Sequence, residues 1–186
     1  DPAAGGSGGQ KMFTNATSGE APYVLASTYT GPVGWIDWEY IANDDGSVNV
    51  ITGSDDDDFI NVKNGTDAVD AGAGNDIIDG GLGSNFLTGG AGTDRFYIDG
   101  RVVGTTWSTV TDWDNTERLA IWGWQQGVST REWVEDLGAA GYKGATLRCD
   151  LDGDGTLDLR VTFTGYTSDQ IKEPTEFPAS DLLWFV

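Results

Sequence analysis

The chain has 186 residues, enough for one sizeable core, and carries 30 acidic against 10 basic residues for a net charge of −20. That balance repels nucleic acid and anionic membrane and favours cations, which excludes nucleic acid as a partner. With no His and a single Cys149, the chain offers no HExxH zinc motif, no Ser-His-Asp triad, no Cys-His pair and no internal disulfide.

At 38% hydrophobic and 11% aromatic this is not a disordered polyanion, yet its acidic residues cluster so tightly that something must neutralise them before the chain compacts. A bound divalent metal would do so. No apolar stretch is long enough to cross a bilayer, so membrane insertion is not expected. The sequence shows no basic, apolar amino-terminal signal peptide, and an export address, if there is one, is expected elsewhere.

In chain order, "DPAAGGSGGQ" at 1–10 reads as a flexible linker. Residues 11–43 hold short apolar and aromatic runs punctuated by Gly, Pro and Ser, read as strands of an N-terminal cap.

Residues 44–97 then divide into nines: "DDGSVNVIT", "GSDDDDFIN", "VKNGTDAVD", "AGAGNDIID", "GGLGSNFLT" and "GGAGTDRFY". Position six is Asn49, Asp58, Asp67, Asp76, Asn85 and Asp94; position eight is Ile51, Ile60, Val69, Ile78, Leu87 and Phe96. Glycine lets the backbone take crowded conformations in which carbonyl oxygens converge, and hard cations need such oxygens. The three residues after position six make a strand too short to stand alone, which must stack on copies of itself with position eight pointing inward. A metal-free β-helix with solvated aspartates needs no acidic column at fixed phase.

These units resemble the RTX (repeats-in-toxin) nonapeptide family, pattern GGxGxDxUx with U apolar. The resemblance implies a right-handed parallel β-roll in which two nonapeptides make one coil and Ca2+ lies between units two apart. It sorts the repeats into an odd ladder, Asp58, Asp76 and Asp94, and an even ladder, Asn49, Asp67 and Asn85. Carried over position by position, it implies two well-formed sites on the odd ladder sharing Asp76. One takes Ser54, Asp56, Asp58, Ala71, Ala73 and Asp76; the other takes Gly72, Gly74, Asp76, Gly89, Ala91 and Asp94. The even ladder, with Gly65, Asp67, Gly80, Leu82 and Asn85, has lost charge at two of three rungs and has Lys63 in a loop, which implies weaker or empty sites.

Residues 98–186 are read as a β-rich flanking region. "TWSTVTDWDNTERLAIWGW" has the aromatic and β-branched bias of strands. In "STREWVEDLGAAG" Ser129 and Glu132 stand at capping-box spacing, which predicts one short helix ending near Gly138 or Gly141. Ala145, Leu147, Cys149 and Leu151 alternate on one arm, and Leu157, Leu159, Val161 and Phe163 on the other, of an antiparallel hairpin with one buried face.

The hairpin tip "DLDGDGTLD" places Asp150, Asp152, Asp154 and Gly155 at the phase that opens an EF-hand loop, with Asp158 a further candidate ligand, but Val161 stands where the bidentate Glu belongs. A turn that favours Asp and Gly and a weak calcium site account for it equally. Eight Trp, including Trp35, Trp38, Trp122 and Trp124, fit a β core or, less often, a sugar-stacking platform. Carboxylate pairs arise by chance in so acidic a chain, and nothing converges on one, so no catalytic residue is named. The closing "PASDLLWFV" resembles the C-terminal type I secretion signal of RTX proteases and lipases; it also reads as a last strand.

The sequence therefore predicts an all-β protein: a parallel β-roll flanked by an antiparallel, sandwich-like cap, with one short helix. The resemblance implies a calcium-binding module of a larger secreted bacterial protein, not itself an enzyme. Its partners would be Ca2+, the type I secretion apparatus and, on the alternative reading as an adhesion module, a polysaccharide.

Overall fold

The computed structural model describes residues 46–100 and 104–171, together with the backbone of the strands Lys11–Phe13, Gly34–Ile36, Trp38–Ile41 and Leu183–Phe185. The linker expected at 1–10, the side chains of the N-terminal cap strands, Trp35 and Trp38 among them, and all of "PASDLLWFV" but the backbone of its last strand lie outside the described residues.

Each pair of nonapeptides makes one coil, and each coil gives one strand to each of two sheets. The first sheet is parallel, in the order Leu183–Phe185, Arg118–Trp122, Arg95–Asp99, Ile77–Asp79, Asp58–Asn61, Trp38–Ile41. The second runs Thr130–Leu137, Gly144–Asp150, Leu159–Thr164, Thr106–Val110, Leu82–Thr88, Ala68–Gly72, Val50–Ser54, with Asn64–Gly65 paired beside Leu82–Thr88. Lys11–Phe13 and Gly34–Ile36 form a separate antiparallel pair.

The registers explain the period of nine. Ile60, Ile78, Phe96 and Leu119 are successive Cα partners across the first sheet; Ile51, Val69, Leu87, Val110 and Phe163 are successive partners across the second. All nine side chains are buried, none above 3% exposed. Two apolar ladders facing each other bury what no single three-residue strand could bury alone. The stacking is close enough that glycine is required where coils touch: Gly72 (φ 109) and Gly90 (φ 95) take left-handed conformations, and a Cβ at either would strike a carbonyl oxygen of the coil below, Ser54 O and Gly72 O respectively.

The C-terminal region departs from expectation in two ways. No separate sandwich forms among the described residues. Thr106–Val110 and Arg118–Trp122 add one more parallel coil to the roll beyond the last repeat, and Leu159–Thr164 pairs parallel to Thr106–Val110. The antiparallel partners Gly144–Asp150 and Thr130–Leu137 then extend the edge of that sheet.

The helix expected after Ser129 is the strand Thr130–Leu137, paired residue for residue with Gly144–Asp150 and bulged between Val134 and Leu137. Ser129 does not cap: its Oγ donates to Leu151 O (2.6 Å) and accepts from Gln125 N (2.7 Å). Glu132 pairs with Arg148 across the strands (3.1 Å). An exposed sheet edge satisfied by pairing outweighs the local preference for one helical turn. The single helical element among the described residues is the 3-10 turn Ser168–Gln170. The predicted hairpin is present, its alternating residues buried except for the half-exposed Leu157.

Candidate metal centre

The two sheets are joined at their edges by the glycine-rich loops, which stack in two columns. On one flank Ser54 pairs with Gly72 and Ala73 bridges Ala91; on the other Asn64 and Gly65 pair with Leu82 and Gly83. The predicted odd and even ligand sets are thus each brought together on one side of the roll.

On the odd flank the carboxylates form a repeating chain. Asp58 N–H donates to Asp76 Oδ1 (2.8 Å), and Asp76 N–H donates to Asp94 Oδ1 (2.8 Å). Asp58, Asp76 and Asp94 are each 0% exposed, and Oδ2 of Asp76 and of Asp94 is buried with no hydrogen-bond partner. A buried carboxylate oxygen left unpaired is strongly unfavourable, and a cation is the partner that such an acceptor calls for. The side chains present therefore fit a hard divalent metal.

Asp58 differs. Ser54 N–H and Ser54 Oγ both donate to its carboxylate (2.6 and 2.8 Å). Asp56 lies in the same loop, exposed, with its N–H donating to Ser54 Oγ (3.2 Å). It takes its glycine position without a positive φ; among the described residues the non-glycines with positive φ are Lys63 and Asp136. Its backbone lies against Gly74, where a Cβ would come within 2.7 Å of Asp56 O.

The loop carbonyls are partly engaged with one another. Ser54 O accepts from Ala73 N (3.1 Å), Gly72 O from Ala91 N (2.9 Å) and Ala91 O from Gly74 N (2.9 Å). Each retains a second lone pair. Gly89 and Gly53 make room for the carboxylates themselves: a Cβ at either would collide with a carboxylate oxygen, Asp94 Oδ2 and Asp58 Oδ2 respectively.

Burial raises every acid in this column. Asp76 is pushed up to about 8, first by loss of water and then by the neighbouring charges of Asp94 and Asp58. Asp94 is pushed up to about 6, by burial and then by Asp112 and Asp114. Asp58 is raised too, by burial, against the lowering effect of its Ser54 bonds. A bound cation reverses this sense by favouring the ionised form.

The even flank is built otherwise. Asp67 Oδ1 accepts from both Asn49 N (2.7 Å) and Asn49 Nδ2 (3.0 Å), and Asp67 N–H donates to Asn85 Oδ1 (3.0 Å). Asn85 Nδ2 donates to Gly80 O, so an amide proton occupies a carbonyl that the calcium ladder would use. Asp67 Oδ2 nevertheless remains buried without a partner. Lys63 holds a left-handed φ of 59, and its carbonyl accepts from Leu82 N (2.7 Å).

At the hairpin tip, ligand atoms of Asp150, Asp152 and Asp158 lie within 4.8 Å of one another. Asp154 is not in that group; its Oδ1 accepts from Thr156 N (2.6 Å). Asp150 accepts from Gly153 N and Gly155 N (2.7 and 2.9 Å), and Asp158 Oδ2 from Leu151 N (2.6 Å). These are the self-closing bonds of a tight Asp-Gly turn, shared with an acidic cluster.

Two features escaped the repeat pattern. A second column at position five links Asn75 N to Asp57 Oδ1 (2.7 Å) and Thr93 N to Asn75 Oδ1 (3.1 Å); the identical phase of Asp57 and Asn75 in their units was its signal. The other is Glu117, which no nine-residue phase marks.

Of the tryptophans, Trp113 is buried in the core, Trp122 is buried with its ring 5.9 Å from that of Tyr97, and Trp124 and Trp133 pack against the core, so Trp122 offers no exposed sugar platform. Trp107 lies half-buried on the outer face of the second sheet, under the Arg160 guanidinium at 5.3 Å.

Residues 45–69 and 62–96 match the family described as "RTX calcium-binding nonapeptide repeat (4 copies)". In fold, the chain is similar to the solution structure of the AlgE6R3 subunit from the Azotobacter vinelandii mannuronan C5-epimerase, with a TM-score of 0.51 and 22% identity over 75% of this chain and 86% of that one. Among curated proteins there is no match.

Proposed function

We propose, for a chain that carries RTX calcium-binding nonapeptide repeats, that Ca2+ is the switch which folds it outside the cell. The observation that carries this reading is the pair of buried, partnerless oxygens Asp76 Oδ2 and Asp94 Oδ2. One ion is held by Ser54, Asp56, Asp58, Ala71, Ala73 and Asp76; a second by Gly72, Gly74, Asp76, Gly89, Ala91 and Asp94. The set Gly65, Asp67, Gly80, Leu82 and Asn85 binds more weakly, since Asn85 already supplies a proton to Gly80 O. Asp150, Asp152 and Asp158 hold a further weak ion at the hairpin tip.

Metal that binds the folded form alone adds its binding free energy to folding. Extracellular modules bind Ca2+ with Kd of about 10⁻⁴ to 10⁻³ M, so millimolar Ca2+ contributes about 0.4 to 1.4 kcal/mol per site while cytosolic Ca2+ contributes almost nothing. A chain of net charge −20 then stays open inside the cell, suits passage through a type I secretion apparatus, and closes on arrival. In this scheme residues 44–97 are the switch and the described strands that follow, from Thr106–Val110 onward, prolong its sheets.

Circular dichroism in chelator should show a largely unfolded chain that folds on titration with millimolar Ca2+. A chain already fully folded without Ca2+ would sink the reading.

One observation favours a second role, binding to an acidic polysaccharide. Ser84, Trp107, Arg160, Arg148 and Glu132 are successive register partners across the outer face of the second sheet. That row sets an aromatic ring and two of the chain's few cations side by side, and the structurally similar subunit comes from an enzyme named for mannuronan. Retention of the Ca2+-loaded chain on immobilised polymannuronate, lost in Trp107→Ala and Arg160→Ala, is the expected result; no retention of the wild type retires it.

A further inference from the structure

The acidic ladder does not end with the repeats. Arg95 pairs in parallel with Ile77 below and with Arg118 above, so the residues that precede these, Asp76, Asp94 and Glu117, stand in one column. Arg118 N–H donates to Asp94 O (2.9 Å), as Arg95 N–H does to Asp76 O (2.8 Å). Glu117 is 2% exposed, as buried as the ladder aspartates. Val110 and Leu87 are register partners, and the segment "TDWDNTE" at 111–117 that follows Val110 is as long as the segment 88–94 that follows Leu87, so it stacks on the last glycine loop.

That loop is anchored by Asp112, whose two carboxylate oxygens accept from Gly89 N (3.0 Å) and Gly90 N (2.7 Å). Within the loop Glu117 Oε2 accepts from Asp114 N (3.1 Å), and Asp114 Oδ1 accepts from Thr116 N (2.6 Å). The like charges acting on Glu117 are those of Asp112, Asp94 and Asp114, and those acting most on Asp94 are Asp112 and Asp114. Arg118 turns its guanidinium to the carbonyls of Thr116 and Glu117 (2.9 and 3.2 Å). Independently of the cluster, Asp94 Oδ2 is fully buried without a partner, while Oδ1 of the same group is spent on the coil beneath.

We infer that a divalent oxygen-seeking cation of the Ca2+ class binds between Asp94 and Glu117, joining the last repeat to the non-repeat loop 111–117, with Asp112 and Asp114 at its rim. The inference rests on the calcium reading of the repeats. It adds a site that the nonapeptide pattern does not contain and makes the 111–117 loop a metal-closed cap on the roll.

The test is the number of Ca2+ bound per chain at equilibrium, for the wild type, Asp58→Asn and Glu117→Gln. Glutamine keeps the size of the side chain and its acceptor for Asp114 N–H but removes the charge. Glu117→Gln should bind one Ca2+ fewer than the wild type; an unchanged count in a folded Glu117→Gln overturns the inference. If Glu117→Gln does not fold, Glu117→Lys replaces it, its ammonium standing where the cation stands. Refolding of Glu117→Lys with one Ca2+ fewer supports the site, and failure of Glu117→Lys to fold at saturating Ca2+ overturns it. Loss of Ca2+ in Asp58→Asn together with a wild-type count in Glu117→Gln defeats this inference alone, whereas a wild type that binds no Ca2+ defeats the calcium reading itself.

Discussion

Asp58 N–H donates to Asp76 Oδ1 across eighteen residues at 2.8 Å, while Asp76 Oδ2 is buried with no partner. One oxygen of Asp76 ties two coils together and the other is left for a cation. Asp76→Asn keeps an acceptor for Asp58 N–H but removes the charge shared by two proposed sites. It should raise the Ca2+ concentration at the folding midpoint by about tenfold or more. Asp58→Asn should shift it less, because both Asp58 oxygens already accept from Ser54. Equal midpoints in a Ca2+ titration followed by circular dichroism would contradict the shared-ligand assignment.

The metal-free roll should lose stability as pH rises. The folded pKa values of Asp76 and Glu117, about 8, and of Asp94, about 6, lie above the unfolded values of about 4. Between pH about 4 and 8 the folded state therefore binds more protons than the unfolded one, and the stability present below pH about 4 declines through this window. In chelator, the folded fraction read by circular dichroism should be larger at pH 5 than at pH 7.5, whereas in saturating Ca2+ the Tm should be higher at pH 7.5 because bound metal displaces those protons. A folded fraction in chelator that rises with pH would refute this account.

Asn85 bridges Asp67 N and Gly80 O where a charged rung would bind metal. Asn85→Asp replaces the donor to Gly80 O with a second acceptor, which should destabilise the metal-free state by about 1–3 kcal/mol. In Ca2+ the same change should tighten binding on the even flank. Urea melts in chelator at pH 5, where the raised carboxyl pKa values favour the folded chain, and Ca2+ stoichiometry read the two effects separately, and a substitution neutral in both would disprove the role given to the amide.

Gly89→Ala isolates the steric part of the site. Gly89 has no positive φ, so alanine introduces no backbone strain, but its Cβ would overlap the Asp94 carboxylate, 2.9 Å from Cγ. Ca2+ affinity should fall by about tenfold or more. A Gly89→Ala protein with wild-type affinity would place the ion away from Asp94 Oδ2.

Asp150 accepts two backbone N–H bonds inside its own turn. Asp150→Ala should therefore lower stability by about 1–2 kcal/mol even in chelator, beyond any lost ion. Thermal denaturation of a chain partly stabilised by low pH measures this; a change seen only in Ca2+ would give the loop a purely metal-binding role.

The coil, its two ladders and its core column were legible in the sequence because nine residues make half a coil and eighteen a whole one. Stacking such coils puts Ile60, Ile78 and Phe96 in one row and Asp58, Asp76 and Asp94 in another, so linear spacing and spatial register coincide. Beyond Tyr97 the spacing breaks; alternation still marks the hairpin of Gly144–Asp150 and Leu159–Thr164, but the helix expected before it is a strand. Arg131 to Leu137 looked like a helical turn because local signals do not report that Gly144–Asp150 offers an open edge. Trp107 and Arg160 meet only because strands far apart in the chain are neighbours in the sheet.

What the sequence determined alone is what repeats: the period, the identity of the ladder residues and the chemistry of glycine, carboxylate and apolar side chain at fixed phase. What the tertiary structure decided is which oxygens are left without partners, and that Glu117, twenty-three residues after Asp94, stands on the next rung. A periodic pattern specifies contacts between like units, whereas the joining of a repeat to an unlike loop depends on sheet register, which no local spacing encodes.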